Sequence, residues 1–174
     1  IVVFGIWHAD SESESPVEIF RDGAFQVVSI VTTTGFITAD FDQWNNFSRG
    51  LLLILMFVGG CAGSTGGGLK VIRHVLLVKI LGIEVEHSFH PKVIRHLRLG
   101  GKPVEDQNLK QSILVYFCLV MILFVAGFLF ILTVEPDATW GPGSDNKLID
   151  SASSVASTLN NVGPGLGAVG PTQN

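Results

Sequence analysis

The chain has 174 residues, of which 47% are hydrophobic and 15% are charged, and its formal net charge is −4. Charged residues make up about 25% of an ordinary soluble domain, so this composition argues against that class. The chain does not begin with Met or with a signal-peptide pattern, and residues 1–7 form an apolar run. We therefore expect a piece of a longer membrane protein that starts inside a helix.

The first predicted element is a short amphipathic helix over residues 16–31. A helix of about four turns is too short to cross a bilayer. A polar run that ends in glycine follows it directly, and this first run (residues 32–35) reads Thr32, Thr33, Thr34 and Gly35.

The next apolar segment is interrupted by glycine. Residues 51–58 are too short to span a membrane, residues 59–68 include six glycines, and an apolar pattern resumes over residues 69–82. One interpretation is a short buried helix, a flexible linker and a second helix. We favour a single membrane helix broken in its middle. Irregular backbone at membrane depth occurs only where it is buried in protein or lines a water-filled cavity. Broken helices of this kind indicate a transport pathway.

Charge placement predicts the orientation of the chain. Residues 70–110 carry eight Lys/Arg and four acidic residues, whereas residues 8–50 and 135–174 together carry three Lys/Arg and eleven acidic residues. Cytoplasmic loops of membrane proteins are enriched in Lys and Arg, so the 83–110 loop is predicted to be cytoplasmic. The acidic stretches then face the other side, where their field would concentrate cations.

The clearest membrane segment covers residues 111–134, which are uncharged. At about 1.5 Å per residue it reaches about 36 Å, more than the hydrocarbon core of about 30 Å. A second short helix is predicted at residues 146–159, followed by a second run (residues 160–163) of Asn160, Asn161, Val162 and Gly163.

The two short helices and their polar runs form an internal repeat. A shift of 128 residues superimposes five identical pairs: Asp22 on Asp150, Ala24 on Ala152, Val27 on Val155, Ser29 on Ser157 and Gly35 on Gly163. Short helices on one side of the membrane predict re-entrant loops. Each run would be extended backbone with free carbonyls, which can replace the water shell of a cation, and glycine permits the backbone conformation this requires.

The runs at residues 32–36, 59–70 and 160–167 resemble the third and fourth repeats of the Trk/Ktr/HKT potassium-transporter superfamily, most closely the TrkH type. The resemblance implies an all-α integral membrane fold of helix–re-entrant pore loop–helix repeats, as in potassium channels, with this chain a fragment of a four-repeat pore. Residues 1–82 would hold the end of an outer helix, a pore loop and a broken inner helix. Residues 83–110 would be a cytoplasmic basic loop, and residues 111–174 the next outer helix and pore loop.

The resemblance also implies site residues. The first and second runs would bind potassium as a selectivity filter, and members with glycine at the central filter position, matched here by Gly35 and Gly163, are potassium-selective. The Gly-rich loop (residues 59–68) would gate the pore, with Lys70 and Arg73 just after it and facing the cytoplasm. Its assigned gate residues are Gly59, Gly60, Gly63, Ser64, Thr65, Gly66, Gly67 and Gly68.

The function implied is potassium uptake across the bacterial plasma membrane by a multi-pass protein. The resemblance implies a homodimer in the lipid bilayer and a cytosolic nucleotide-binding regulatory subunit of the TrkA-like kind. We expect no cofactor beyond the transported potassium ion, no nucleic-acid partner and no enzymatic activity, since no catalytic group has a partner at a useful spacing. A sodium-coupled Ktr-type subunit and a structural membrane subunit remain the alternatives.

Overall fold

The computed structural model describes residues 15–61, 63–89, 97–99, 102–104, 107–136 and 147–170. The predicted helix end at residues 1–7, residue 62 of the Gly-rich loop and parts of the predicted 83–110 loop lie outside the described residues.

Helices dominate the described part of the chain. They are α1 (Pro16–Val31), α2 (Asn46–Leu55), α3 (Val71–Phe89), α4 (Gln107–Val134) and α5 (Lys147–Asn160). Short 3₁₀ helices lie at Phe41–Gln43 and Gly167–Val169.

The first short helix has the predicted bounds, and local capping explains where it begins. The Ser15 side chain accepts from the Glu18 N–H while the Glu18 carboxylate accepts from the Ser15 N–H, and Pro16 occupies the first turn. This reciprocal capping box satisfies two N–H groups that the helix itself cannot use. The second short helix, α5, lies one residue later than predicted.

Two small strand pairs depart from the all-α expectation. Strands β1 (Val58–Gly59) and β2 (Leu69–Lys70) pair in parallel, so they join the two ends of the Gly-rich loop. Strands β3 (Leu97–Leu99) and β4 (Lys102–Val104) form an antiparallel pair. The helical break is therefore a closed loop rather than an open linker, because its flanks hydrogen-bond to each other.

Helix α3 continues past the predicted end at Gly82, to Phe89. A glycine inside a helix costs only about 1 kcal/mol relative to alanine, so an isolated one does not stop the helix. The four residues after Gly82 alternate apolar and acidic side chains, and none of them is a helix terminator.

The main core lies between the two predicted repeats. Phe41, Leu52 and Met56 from the first repeat are fully buried with Ala156 and other apolar residues of the second repeat. Burying apolar surface is worth about 25 cal/mol per Å². This shared core holds the ends of α1 and α5 beside each other.

Helix α4 differs from a soluble core helix. Its segment Leu109–Val134 is the one described helix that is long and apolar enough to cross a membrane, and only 6% of its most apolar window is buried within the chain. A soluble core helix of this composition would be covered by protein. Apolar side chains that protein leaves largely exposed are instead typical of contact with lipid.

A small residue lets α4 approach α5 closely, which leads to a first prediction. A Cβ on Gly127 would lie 3.1 Å from Cγ1 of Val155, whose β-branched side chain turns only with difficulty. We expect Gly127→Ala to lower the free energy of unfolding of the full-length protein by about 1–3 kcal/mol through overpacking. Thermal unfolding in detergent measures the change.

The double variant Gly127→Ala/Val155→Ala removes the crowding methyl groups and should recover most of the loss. Gly82→Ala is the matched control, since a Cβ there meets nothing within 4 Å. Equal melting temperatures for Gly127→Ala and Gly82→Ala would contradict the close approach.

Candidate functional site

The first and second runs end α1 and α5 with the same backbone conformation. Thr33 and Asn161, 128 residues apart, have φ of 55° and 56°. Gly35 and Gly163, separated by the same offset, also have positive φ, at 74° and 111°. A positive φ is unusual for asparagine and costly for a β-branched threonine, and such strain concentrates at functional sites. The repeat predicted from five identities is therefore present in the backbone.

Equivalent hydrogen bonds fold each run against its helix. The backbone oxygen of Ser29 accepts from the Thr34 N–H at 2.9 Å, and that of Ser157 accepts from the Val162 N–H at 2.9 Å. The serine hydroxyls differ in use: Ser29 donates to the Phe36 carbonyl at 2.6 Å, while Ser157 accepts from the Gly163 N–H at 3.1 Å. The two serines are one of the five identical pairs of the repeat, but the sequence pattern alone predicts no role for them.

The runs are not simple extended strands, which corrects the sequence prediction. In each run a residue with positive φ, a residue without it and a glycine with positive φ follow one another. Among the described residues, no hydrogen bond is made to a carbonyl of residues 32–35 or 160–163. The backbone that carries these carbonyls alternates between residues with and without positive φ, so it is not one extended strand.

The two runs touch each other. A Cβ on Gly35 would lie 2.7 Å from the carbonyl oxygen of Val162 and 3.2 Å from Cδ of Pro164. A Cβ on Gly163 would lie 3.7 Å from Cα of Gly35. Thr32, Thr34, Asn161 and Gly163 are exposed, whereas the side chains of Asn160 and Val162 are buried.

The Gly-rich loop packs against both runs. The N–H of Gly67 donates to the Thr33 hydroxyl at 3.0 Å, and a Cβ on Gly66 would lie 3.0 Å from the same oxygen. Gly67 also abuts Asn160 and Asn161 so closely that a side chain would collide with them. The structure thus brings all three predicted segments together.

A residue just after the Gly-rich loop hydrogen-bonds back to the loop. The Lys70 ammonium donates to the carbonyls of Ser64, at 2.7 Å, and Gly66, at 2.6 Å. Its head group turns back to the loop, because these carbonyls have no strand or helix partner. Charge-assisted hydrogen bonds of this kind are stronger than neutral ones. That Lys70 faces the cytoplasm stays a prediction.

The other predicted gate residues take varied positions. Gly59 approaches Gly67 and Gly68 across the strand pair, and Gly68 has φ of 72°. Gly60 lies against Ser64, while Gly63 and Thr65 are exposed. Within the described ranges, no group of three or more His, Cys, Asp or Glu could hold a metal ion.

Arg73, which was also predicted to face the cytoplasm, packs against α4. Its guanidinium carbon lies 4.1 Å from the centre of the Tyr116 ring, a cation–π contact that joins α3 to α4.

Comparison with known proteins identifies the family of the chain. Residues 11–173 match the family model "TrkH: Cation transport protein". The chain is 39% identical, over 89% of its length, to the Trk system potassium uptake protein TrkH of Vibrio parahaemolyticus, and 40% identical, over 83%, to that of Escherichia coli K12. The crystal structure of the potassium transporter TrkH from Vibrio parahaemolyticus superimposes with a TM-score of 0.78 at 38% identity.

That superposition covers 97% of this chain and 34% of the solved one, and the two alignments cover 30% and 28% of the curated relatives. The chain therefore spans about a third of the proteins it matches. Because the family model covers nearly all of the chain, and because fold and sequence agree over the same residues, the chain belongs to the TrkH family of cation transport proteins.

Proposed function

We propose that the full protein takes up potassium across the bacterial plasma membrane, and that this chain supplies two of its filter segments and its gate. Relatives are named as potassium uptake proteins. The observation that carries the proposal is the contact between two runs of equal backbone conformation at Gly35 and Gly163. A structural subunit without an ion path has no need of such a pair.

Potassium would bind to backbone oxygens of the runs. Carbonyls without hydrogen-bond donors can replace the water shell of an ion, as in channel filters. Each run follows the C-terminal end of a helix, α1 or α5. The helix dipole places about half a negative charge at that end, which favours a cation. Neither feature needs a catalytic group or a resident cofactor.

The Gly-rich loop would close the pathway directly beneath the runs. The loop contacts Thr33, Asn160 and Asn161, so in this position it would block the exit of an ion on that side. Lys70 holds the loop in this position and brings a positive charge that repels potassium. Opening would require the loop to leave the runs and the Lys70 bonds to break.

Two partners belong to the same proposal. The protein would act as a homodimer in the bilayer and bind a cytosolic nucleotide-binding regulator of the TrkA-like kind. The excess of Lys and Arg between residues 83 and 110 supports a cytoplasmic position for that loop. Helix α3 leads from the gate toward it.

Replacing Gly35 tests the filter. A side chain at its φ of 74° costs about 1–2 kcal/mol, and Cβ would collide with Val162. We expect Gly35→Ala to reduce potassium uptake by the full-length protein by about 5- to 30-fold or more, and Gly35→Ser to admit sodium. Growth at limiting potassium, in a bacterium without its own uptake systems, measures the first effect, and sodium uptake measures the second.

Gly50→Ala is the control, because a Cβ at that helical position meets nothing within 4 Å. Uptake and selectivity that stay at wild-type levels in both Gly35 variants, at equal membrane expression, would refute the filter. Repeating the wild-type measurement without sodium separates the Trk-type proposal from a sodium-coupled Ktr-type transporter.

Replacing Lys70 tests the gate. Lys70→Met removes both hydrogen bonds to the loop and the repelling charge while keeping a side chain of similar length. We expect the maximal rate of potassium uptake to rise several-fold, since charge-assisted hydrogen bonds contribute about 1.5–3 kcal/mol each. Initial rates of rubidium uptake in cells report the change.

Lys79→Met is the matched control, because it removes a positive charge about 13 Å farther along α3. A Lys70→Met rate equal to that of Lys79→Met would mean that the Lys70 bonds do not hold a gate closed.

A further inference from the structure

A row of polar side chains on one face of α5 holds the chain that follows the second run. Three backbone N–H groups donate to this row at 2.9–3.1 Å: Gly163 to Ser157, Leu166 to Ser153 and Ala168 to Asp150. The three acceptors are spaced four and three residues apart, so they share one helix face. The chain that leaves the second run therefore runs back along α5, toward Asp150 near the N-terminal end of that helix.

The end of this row at Asp150 is joined to the first repeat. Asp42, in the 3₁₀ helix that follows the first run, accepts from the Gly167 N–H at 2.7 Å. A side chain on Gly167 would collide with the Asp150 carboxylate, and one on Gly170 with the Asp42 carboxylate. Two carboxylates, one from each repeat, thus contact the same short segment, residues 167–170.

Arg49 lies between these two carboxylates. Its Nη2 is 3.9 Å from Oδ1 of Asp42 and 3.9 Å from Oδ1 of Asp150. The side chains of Arg49 and Asp150 are 9% and 2% exposed, so the contact is buried. Equal distances mean that one positive charge serves two acids from different repeats. Removing one partner of a buried ion pair is strongly destabilising, because it leaves an uncompensated charge.

The acids depend on Arg49 for their charge balance. Burial raises the pKa of Asp42, while the hydrogen bond from Gly167 and the positive charge of Arg49 act in the opposite direction. Asp42 Oδ2 and Asp150 Oδ1 have no hydrogen-bond partner among the described residues. Without Arg49, two buried carboxylates would face each other and repel.

We propose that Arg49 is a positioning residue for potassium selectivity, which fixes the spacing between the two runs by sharing its charge between Asp42 and Asp150. The inference rests on the proposed function. Five residues separate the first run from the 3₁₀ helix that holds Asp42, and the serine row connects the second run to Asp150. A change at Arg49 therefore shifts one run relative to the other, and selectivity follows the arrangement of carbonyls around the ion.

The test compares variants of the full-length protein by the ratio of potassium to sodium uptake per transporter in the membrane. We expect Arg49→Gln to lower this ratio about tenfold, a change equivalent to 1.4 kcal/mol, and Arg49→Lys to retain more of it. Arg21→Gln is the matched control. Arg21 pairs with Asp22, the repeat equivalent of Asp150, but its side chain is 68% exposed, so the ratio should stay at the wild-type value.

A wild-type ratio in membrane-inserted Arg49→Gln overturns the inference. An equal rise in the uptake of both ions also overturns it, because Arg49 would then act only through the field at the pore mouth. Should Arg49→Gln fail to insert, Asp42→Asn decides, since it keeps an oxygen for the Gly167 N–H and removes only the charge. A lowered ratio supports the inference and an unchanged one overturns it. Failure of the proposed function is distinct, because the wild-type protein would then not take up potassium at all.

Discussion

The arrangement depends on the close approach of three backbone segments at Gly35, Gly163 and Gly67. At Gly35 and Gly67, a single methyl group would displace the neighbouring chain, and Gly35 and Gly163 adopt a backbone hand that other residues rarely take. Glycine is usually a weak point in a fold, because it loses much freedom on folding. Here it allows backbone segments that are distant in sequence to come into contact, which larger residues would prevent.

Two kinds of anchoring hold these weak segments in place. Apolar burial of Phe41, Leu52, Met56 and Ala156 fixes the helices that lead into the runs. Polar side chains then fix the runs themselves, through Ser29, Ser157 and the acids near Arg49. This division follows from chemistry, since irregular backbone has donors and acceptors that no apolar neighbour can satisfy. The apolar core sets where each helix ends, and the hydrogen bonds set what the chain does after that point.

Much of the fold could be predicted from the sequence. The bounds of α1 followed from its amphipathic spacing, and the apolar helix α4 followed from composition. The end of α3 and the small strand pairs could not be predicted, because Gly82 is a weak terminator and two-residue strands leave no periodic pattern. The hydropathy pattern placed the break between α2 and α3 correctly, although it showed nothing of its closure.

At the site, sequence patterns identified the segments but not the side chains that support them. Lys70 and Arg49 look like ordinary positive charges at membrane borders, and the roles proposed for them rest on contacts that only the folded chain shows. The positive φ of Thr33 is equally hidden, because nothing in a run of three threonines distinguishes its middle member. The repeat offset was the one signal that pointed to Ser29, Ser157 and Asp150.

The hydrogen bond from Gly67 to Thr33 has a thermodynamic consequence. One side chain belongs both to a segment that would surround ions and to the contact that would hold the pathway shut. Two processes that share a structural element are coupled reciprocally: if ion occupancy changes the stability of the closed loop, closure changes the affinity for the ion by the same factor. Potassium outside the cell would then regulate the gate as well as being the ion that is transported. A regulator that moves the loop from the cytoplasm would change the ion affinity on the opposite side of the membrane.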